Sequence, residues 1–182
     1  PIIDAAYVAM EKYFGKLPPN RERTVFQVTG YLMADKELFR NAGLLPANLD
    51  PFNNGRHRGA ELWMNDQQFD YYRRHLLIHE ATHCYMEAIA GNRYYEDLPM
   101  WYWEGMAELF GTHQISEDGI VRFRVMPANR DDFDGFGRIT LIRTAVDKGK
   151  FKSLDVVRDL QGKDYLQNAA YAWSWGLCKF LD

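Results

Sequence analysis

The sequence predicts an α+β fold in which a small mixed sheet packs on one long helix and a mainly helical part follows. Strand-like runs occur at residues 24–29, 58–65 and 113–126, whereas helical apolar periodicity dominates from residue 66 onward. The chain has 182 residues, 47% of them hydrophobic, so it can bury a core without disulfide staples. We expect a single domain over 1–182, with a sheet-containing lobe at 1–95, a mainly helical lobe at 96–182 and a cleft between them.

Each element has a local signal. Helices are predicted where apolar residues recur every three or four positions, at 4–14, 35–41, 66–90, 99–110, 136–147, 153–160 and 164–181. Strands are predicted at 24–29 and 58–65, a hairpin at 113–126, and an irregular loop at 45–59, which is rich in Pro, Asn and Gly. Asp66 is the expected N-cap of the longest helix, and Gly91 is the residue expected to end it.

Composition argues against two classes of protein. The 22 basic and 25 acidic residues give a net charge of −3, so the basic excess typical of nucleic-acid binders is absent. The longest uninterrupted apolar run, residues 5–10, is far shorter than the roughly 20 residues that span a bilayer. We predict neither a nucleic-acid partner nor a membrane span. Cys84 and Cys178 are predicted to be buried free thiols, with a single disulfide as the alternative.

The longest predicted helix contains the run His79-Glu80-Ala81-Thr82-His83. Residues four apart share a helix face, with Cβ atoms about 5–6 Å apart, so both imidazoles can bind one metal ion. Glu80 lies one position round the helix, where a carboxylate can take a proton from metal-bound water. We predict His79 and His83 as metal ligands and Glu80 as the catalytic base. The alternative is a helix with structural histidines.

A catalytic zinc site usually has three protein ligands and one open position. The next predicted helix contains Trp-Tyr-Trp-Glu-Gly-Met-Ala-Glu at 101–108, where Glu104 and Glu108 again lie four apart on one face. Glu104 is the predicted third ligand. Glu108 is predicted to accept the second ring N–H of a ligand histidine and so fix its tautomer. A solvated acidic face is the alternative, which the apolar neighbours of both residues disfavour.

These two motifs resemble those of the gluzincin metallopeptidases, the group that holds thermolysin and the zinc aminopeptidases. The similarity is closest to uncharacterised bacterial peptidase-like domains of that group. It is strong over residues 79–108, where Trp101 and Glu104 match a Trp-x-x-Glu-Gly-x-Ala element whose Glu binds zinc, and Glu108 matches a carboxylate that supports a ligand histidine. A looser similarity runs from 24 to 181. The aminopeptidase signature Gly-Ala-Met-Glu-Asn is absent, and 59–61 matches it only in part.

The resemblance implies one Zn²⁺ per chain, a peptide or protein substrate, and an edge strand at 58–65 that pairs with the substrate backbone. The predicted substrate-binding residues on that strand are Glu61, Trp63 and Asn65, and an ordinary sheet strand is the alternative. The resemblance also implies bacterial origin and an exported or cell-envelope location. The sequence begins at Pro1 without a Met and ends one residue after an apolar helical stripe, so we expect it to be part of a longer protein whose targeting segment lies outside it.

Peptide hydrolysis also needs a donor to the developing oxyanion, which gluzincins often take from a later helix. Tyr171 is the candidate, followed by Tyr165 and His113, and a core aromatic is the alternative role for Tyr171. His75 is not predicted to be a ligand, because one straight helix cannot wrap three ligands around one ion. His57 lies between two arginines and is predicted to be a surface residue.

The predicted function is therefore zinc-dependent hydrolysis of peptide bonds, with metal-activated water and Glu80 as general base. The alternative is a catalytically inactive gluzincin-like module that binds peptide or glycan through its aromatic residues, which make up 15% of the chain. A di-iron bundle would need a second Glu-x-x-His, and the sequence contains none. The sequence carries no signal for substrate preference or oligomeric state.

Overall fold

The structure is a computed structural model that describes residues 2–17, 26–91, 97–127 and 137–182. The helices are α1 Ile2–Phe14, α2 Lys36–Asn41, α3 Asp70–Ala90, α4 Met100–Gly111, α5 Arg138–Asp147, α6 Leu154–Arg158 and α7 Asn168–Leu181, with a 3₁₀ segment Gly162–Leu166 before α7. The strands are β1 Thr29–Met33, β2 Gly55–Arg58, β3 Glu61–Asn65, β4 His113–Ile115 and β5 Val121–Phe123. The predicted α+β class is confirmed.

The larger sheet has three strands in the order β1-β3-β2. β1 pairs parallel with β3, and β2 pairs antiparallel with β3, so the sheet is mixed, as predicted. Successive residues of a strand point to opposite faces. Leu62 of β3 belongs to the core cluster that contains Ile78 and Ala81 of α3, whereas Trp63 belongs to a separate cluster with Met33. The sheet therefore lies directly on the long helix.

One strand prediction and one loop prediction are wrong. Residues 26–28 have no regular structure, residues 24 and 25 lie outside the described part, and the strand is instead Thr29–Met33. The register that pairs Thr29 with Glu61 buries Met33, and this packing outweighs the β-branched signal upstream. The predicted loop 45–59 contains β2, which joins β3 through a turn where Gly59 has a φ of +58°.

The helix predictions are largely confirmed, with shifts at their ends. α3 starts at Asp70 rather than at residue 67, because the Asp66 carboxylate accepts from Arg73 Nε at 2.7 Å instead of capping the helix. Gly91 ends α3 with a φ of +69°. The predicted helix 164–181 is a 3₁₀ segment followed by α7, because Gln167 between them is extended. The hairpin at 113–126 is present as β4 and β5.

The main core lies between α1, α3, α4 and α7. α4 and α7 approach closely at Gly105, where an added Cβ would lie 2.6 Å from both Cys178 Sγ and Ser174 O. Cys84 and Cys178 are buried free thiols, as predicted, and burial raises the pKa of each. Among the described helices, none combines the length and apolar character needed to cross a bilayer.

Candidate metal centre

α3 and α4 bring three predicted ligands together. His79 Nε2 and His83 Nε2 lie 3.1 Å apart, and each lies 3.3 Å from Glu104 Oε2. Zinc ligands about 2.0–2.1 Å from the ion in a tetrahedron are about 3.3 Å from one another. The three atoms thus form one face of a tetrahedron of zinc-site dimensions.

We call the three atoms His79 Nε2, His83 Nε2 and Glu104 Oε2 the triangle. The chemistry of the triangle fits a cation. Glu104 Oε2 is buried and has no hydrogen-bond partner among the described residues. Two imidazole nitrogens also face each other at 3.1 Å, and at most one of a facing pair can donate a hydrogen bond to the other. A buried carboxylate oxygen needs a partner, and a bound dication satisfies all three atoms at once. The residues present can therefore hold a metal ion.

Glu108 lies on the other side of His79. Its Oε1 is 3.2 Å from His79 Nδ1, the position from which a carboxylate turns Nε2 of a ligand histidine towards a metal. Arg138, at the start of α5, donates from Nε to Glu108 Oε2 at 2.7 Å and from Nη2 to Glu108 Oε1 at 3.1 Å. Arg138 was not predicted, because it is 30 residues from Glu108 and lies in no motif.

A second group of metal-ligand atoms comprises His75, His79 and Glu108. His75 Nε2 is 3.4 Å from Glu108 Oε2, and both side chains are buried. Glu108 already has a cation, because Arg138 contacts both of its oxygens. An ion at this second group would lie against the guanidinium group, so the first group is the better candidate for a cation. The His75 ring instead fills the space beside Gly111, where an added Cβ would lie 2.6 Å from His75 Nδ1.

The prediction that His57 is a surface residue is wrong. Its side chain is 18% exposed, its Nδ1 is 3.3 Å from Glu80 Oε2, and its ring is 4.6 Å from that of His83. Alternation along β2 explains this position, since Gly55 and His57 face α3 while Arg56 and Arg58 face solvent. The position of His57 could not be predicted from the sequence, because residues 55–58 were expected to lie mostly in a loop and their pairing with β3 was not predicted.

The prediction of an edge strand at 58–65 is also wrong. β3 is the central strand of the sheet among the described residues, and β2 lies on its outer side, next to Glu80. The Trp63 ring is 1% exposed and donates to Leu44 O at 2.7 Å. Glu61 accepts from Tyr31 at 3.2 Å, and Asn65 donates to Asn53 O at 2.6 Å. The structure thus gives all three predicted substrate-binding side chains partners within the protein.

Tyr171, the first of the three predicted oxyanion donors, has its ring 6.1 Å from that of His79. Burial raises the pKa of Tyr171, so its hydroxyl remains a donor at neutral pH. Tyr165 is bonded to Ser174 Oγ at 2.6 Å. His113 Nδ1 lies 2.7 Å from Gly111 O, and its Nε2 accepts from Arg74. Tyr165 and His113 are therefore engaged with residues outside the triangle.

The ligands differ in their protonation before an ion binds. Burial disfavours charge on His79, but the carboxylates of Glu104 and Glu108 outweigh burial and raise the pKa of His79 to about 10. Burial lowers the pKa of His83 to about 4. Burial alone would raise the pKa of Glu104, but His83 and His79 outweigh it and lower that pKa. Near neutral pH His79 is thus the charged imidazolium, whereas His83 is the neutral imidazole.

We expect zinc binding at about pH 8 to release about one proton, because His79 must lose the proton it holds. Below the His79 pKa of about 10, the apparent affinity for zinc should therefore rise with pH, by about tenfold per unit. Titration calorimetry in buffers of different ionisation enthalpy measures the released protons directly. A binding enthalpy independent of the buffer would contradict this charge state.

The α+β fold, with a His-Glu-x-x-His helix and a glutamate on the next helix, defines a protein with a candidate metal centre of two histidines and one carboxylate. A family model described as "Protein of unknown function (DUF1570)" matches residues 75–182. The chain belongs to this DUF1570 family. The matched region starts at His75 and includes α4, α5 and α7, whereas β2 precedes it. No curated protein and no solved structure matches the chain.

Proposed function

We propose that this protein is a zinc-dependent hydrolase of peptide bonds, with the ion held by His79, His83 and Glu104. One observation carries the proposal: the three ligand atoms from α3 and α4 lie 3.1–3.3 Å apart, and Glu80 follows the ligand His79 on α3. Two imidazoles and one carboxylate form a zinc-ligand set found in catalytic sites. The resemblance to gluzincins at residues 79–108 points to the same chemistry.

A zinc ion bound there would supply Lewis-acid activation of an attacking water. Glu80 takes the proton from that water and passes it to the leaving amine. Burial alone would raise the pKa of Glu80, but His57 together with His79 and His83 outweighs it and lowers that pKa. Glu80 is therefore ionised at neutral pH, as a general base must be. Tyr171 donates a hydrogen bond to the developing oxyanion.

The substrate backbone would pair with β2 rather than with β3. β2 is the strand of the sheet that lies against Glu80, and its outer edge is not paired with another described strand. An extended peptide can add to such an edge through main-chain hydrogen bonds. This arrangement would set the peptide beside the carboxylate that takes the proton.

A peptide library tests the proposal. Zinc-loaded protein should cleave a subset of its members, and a chelator should stop cleavage until zinc is restored. Mass spectrometry of the products identifies the broken bonds. Absence of cleavage in protein shown to contain zinc would contradict a hydrolase.

The burial of the site favours one second candidate, a module that binds peptide or glycan without cleaving it. Glu80 and His79 are each 5% exposed and His83 is 2% exposed, so access to the reacting groups is narrow. If the zinc-loaded protein retains library peptides and no cleaved peptide with a new terminus is found, binding without hydrolysis is supported.

A further inference from the structure

Two alternate residues of β2 lie against the carboxylate of Glu80. His57 Nδ1 is 3.3 Å from Oε2. The other carboxylate oxygen, Oε1, lies close to the backbone of β2, since an added Cβ at Gly55 would be 2.5 Å from it. The Glu80 side chain is 7% exposed. The carboxylate is thus enclosed between α3 and this one strand.

From these contacts we infer that His57 is a positioning residue, which fixes the Glu80 carboxylate through Nδ1 and holds the ligand His83 through its ring. The inference rests on the proposed function for its catalytic part, because Glu80 is the base only if the protein is a hydrolase. The part that concerns His83 depends only on metal binding.

The hydrogen bond to Glu80 matters because a glutamate side chain has three rotatable bonds. Its carboxylate must stay within about 0.5 Å of the productive position for efficient proton transfer. His57 restrains one oxygen of this carboxylate, and the absence of a side chain at Gly55 makes room for the other. Both come from a paired strand rather than from a loop, which makes the restraint rigid.

The contact with His83 is a stack of flat faces. The His57 and His83 ring centroids are 4.6 Å apart with 26° between the planes, and His83 and Trp103 are 4.8 Å apart with 23° between them. Two neighbouring rings therefore limit rotation of the imidazole that would bind the metal. This limit keeps His83 Nε2 directed at the triangle.

His57 is not itself placed as a ligand. Its Nδ1 faces Glu80, and its Nε2 lies 4.0 Å from Glu87 Oε2. Both ring nitrogens therefore face carboxylates that are not in the triangle. In the described part of the chain, His57 also belongs to neither group of converging metal-ligand atoms.

Two substitutions separate the two contacts. His57→Phe keeps a flat ring beside His83 but removes the donor to Glu80. His57→Asn keeps an N–H near the position of Nδ1 but removes the ring. Arg40→Gln is the control, because Arg40 lies on α2, faces solvent and pairs with Glu37 outside the proposed site. Circular dichroism shows whether each variant is folded.

With the zinc-loaded proteins, we expect His57→Phe to lower kcat by about 10- to 100-fold at unchanged KM and to keep zinc affinity. His57→Asn should recover most of the lost kcat but bind zinc about tenfold more weakly, with a changed visible spectrum of the cobalt-substituted protein. Arg40→Gln should match the wild type. Wild-type kcat in His57→Phe, or equal loss of kcat in both His57 variants, would overturn the inference for Glu80.

Measurements of metal binding, which need no activity, distinguish failure of this inference from failure of the proposed function. If zinc-loaded wild-type protein cleaves no peptide, the proposed function fails and the role of His57 at Glu80 fails with it. The role at His83 is decided by the competition titration and the cobalt spectrum alone. If both are unchanged in His57→Asn, that role is wrong even in an active enzyme.

Discussion

Replacing Glu80 with glutamine is expected to abolish peptide hydrolysis while zinc stays bound. The amide has nearly the same shape and can still accept a hydrogen bond from His57, which is 3.3 Å from Glu80 Oε2. It cannot take a proton from the attacking water. Loss of a general base costs about 10²- to 10⁴-fold in rate. The measurement is kcat on a cleaved library peptide, beside the zinc content of the same sample.

Asp70→Asn is a matched control for this prediction. Asp70 is an exposed acidic residue at the first position of α3, and its replacement removes the same charge without touching the triangle. It should leave kcat unchanged. A Glu80→Gln protein that holds zinc and turns over at the wild-type rate would mean that Glu80 is not the base.

Among the substitutions discussed, replacing Arg138 with methionine is expected to lower the free energy of unfolding most. Arg138 is 7% exposed and Glu108 is 2% exposed, and the two are joined by two hydrogen bonds. Removing one partner of a buried ion pair leaves an uncompensated charge, which typically costs about 3–5 kcal/mol. Urea unfolding of the metal-free protein measures the free energy of unfolding. The loss should also weaken zinc binding, because Glu108 lies beside His79.

Two control variants test whether the loss of stability comes from the buried charge of Glu108. Arg143→Met, on the exposed side of the same helix, should change the free energy of unfolding by less than about 0.5 kcal/mol. Adding Glu108→Gln to Arg138→Met should recover part of the loss, because the buried charge is then absent. Full stability in Arg138→Met, or no recovery in the double variant, would contradict the assignment.

The effect of Arg138→Met should also depend on pH. Burial alone would raise the pKa of Glu108, but Arg138 outweighs it and holds that pKa well below 4.5. A carboxyl group with a lowered pKa stabilises the fold above its unfolded pKa and loses that contribution as pH falls. The difference between wild type and variant should therefore be full near neutral pH and should narrow as pH falls below 4.5.

Local patterns were enough to predict the residues of the triangle. His79 and His83 are four apart on a helix, and Glu104 and Glu108 are four apart on the next, so helix geometry alone sets each pair on one face. Turn residues marked the hairpin at 113–126, and Gly91 marked the end of α3. These signals lie within a few residues of the features they predict.

The rest of the site depends on contacts between distant parts of the chain. His57 meets Glu80 across 23 residues because β2 pairs with β3, and β2 is polar on its solvent face and has no apolar alternation. Arg138 meets Glu108 across 30 residues, from the first position of another helix. β1 was misplaced for the same reason, since its register is set by pairing with β3. Such contacts are decided by tertiary packing rather than by local preference.

The metal content of the purified protein tests the central claim most directly, measured by elemental analysis beside Glu104→Ala. The triangle predicts about one zinc per chain in the wild type and a much lower content in the variant, because three ligands become two. A wild-type protein that holds no zinc, even after zinc is added back, would contradict the site and the hydrolase built on it.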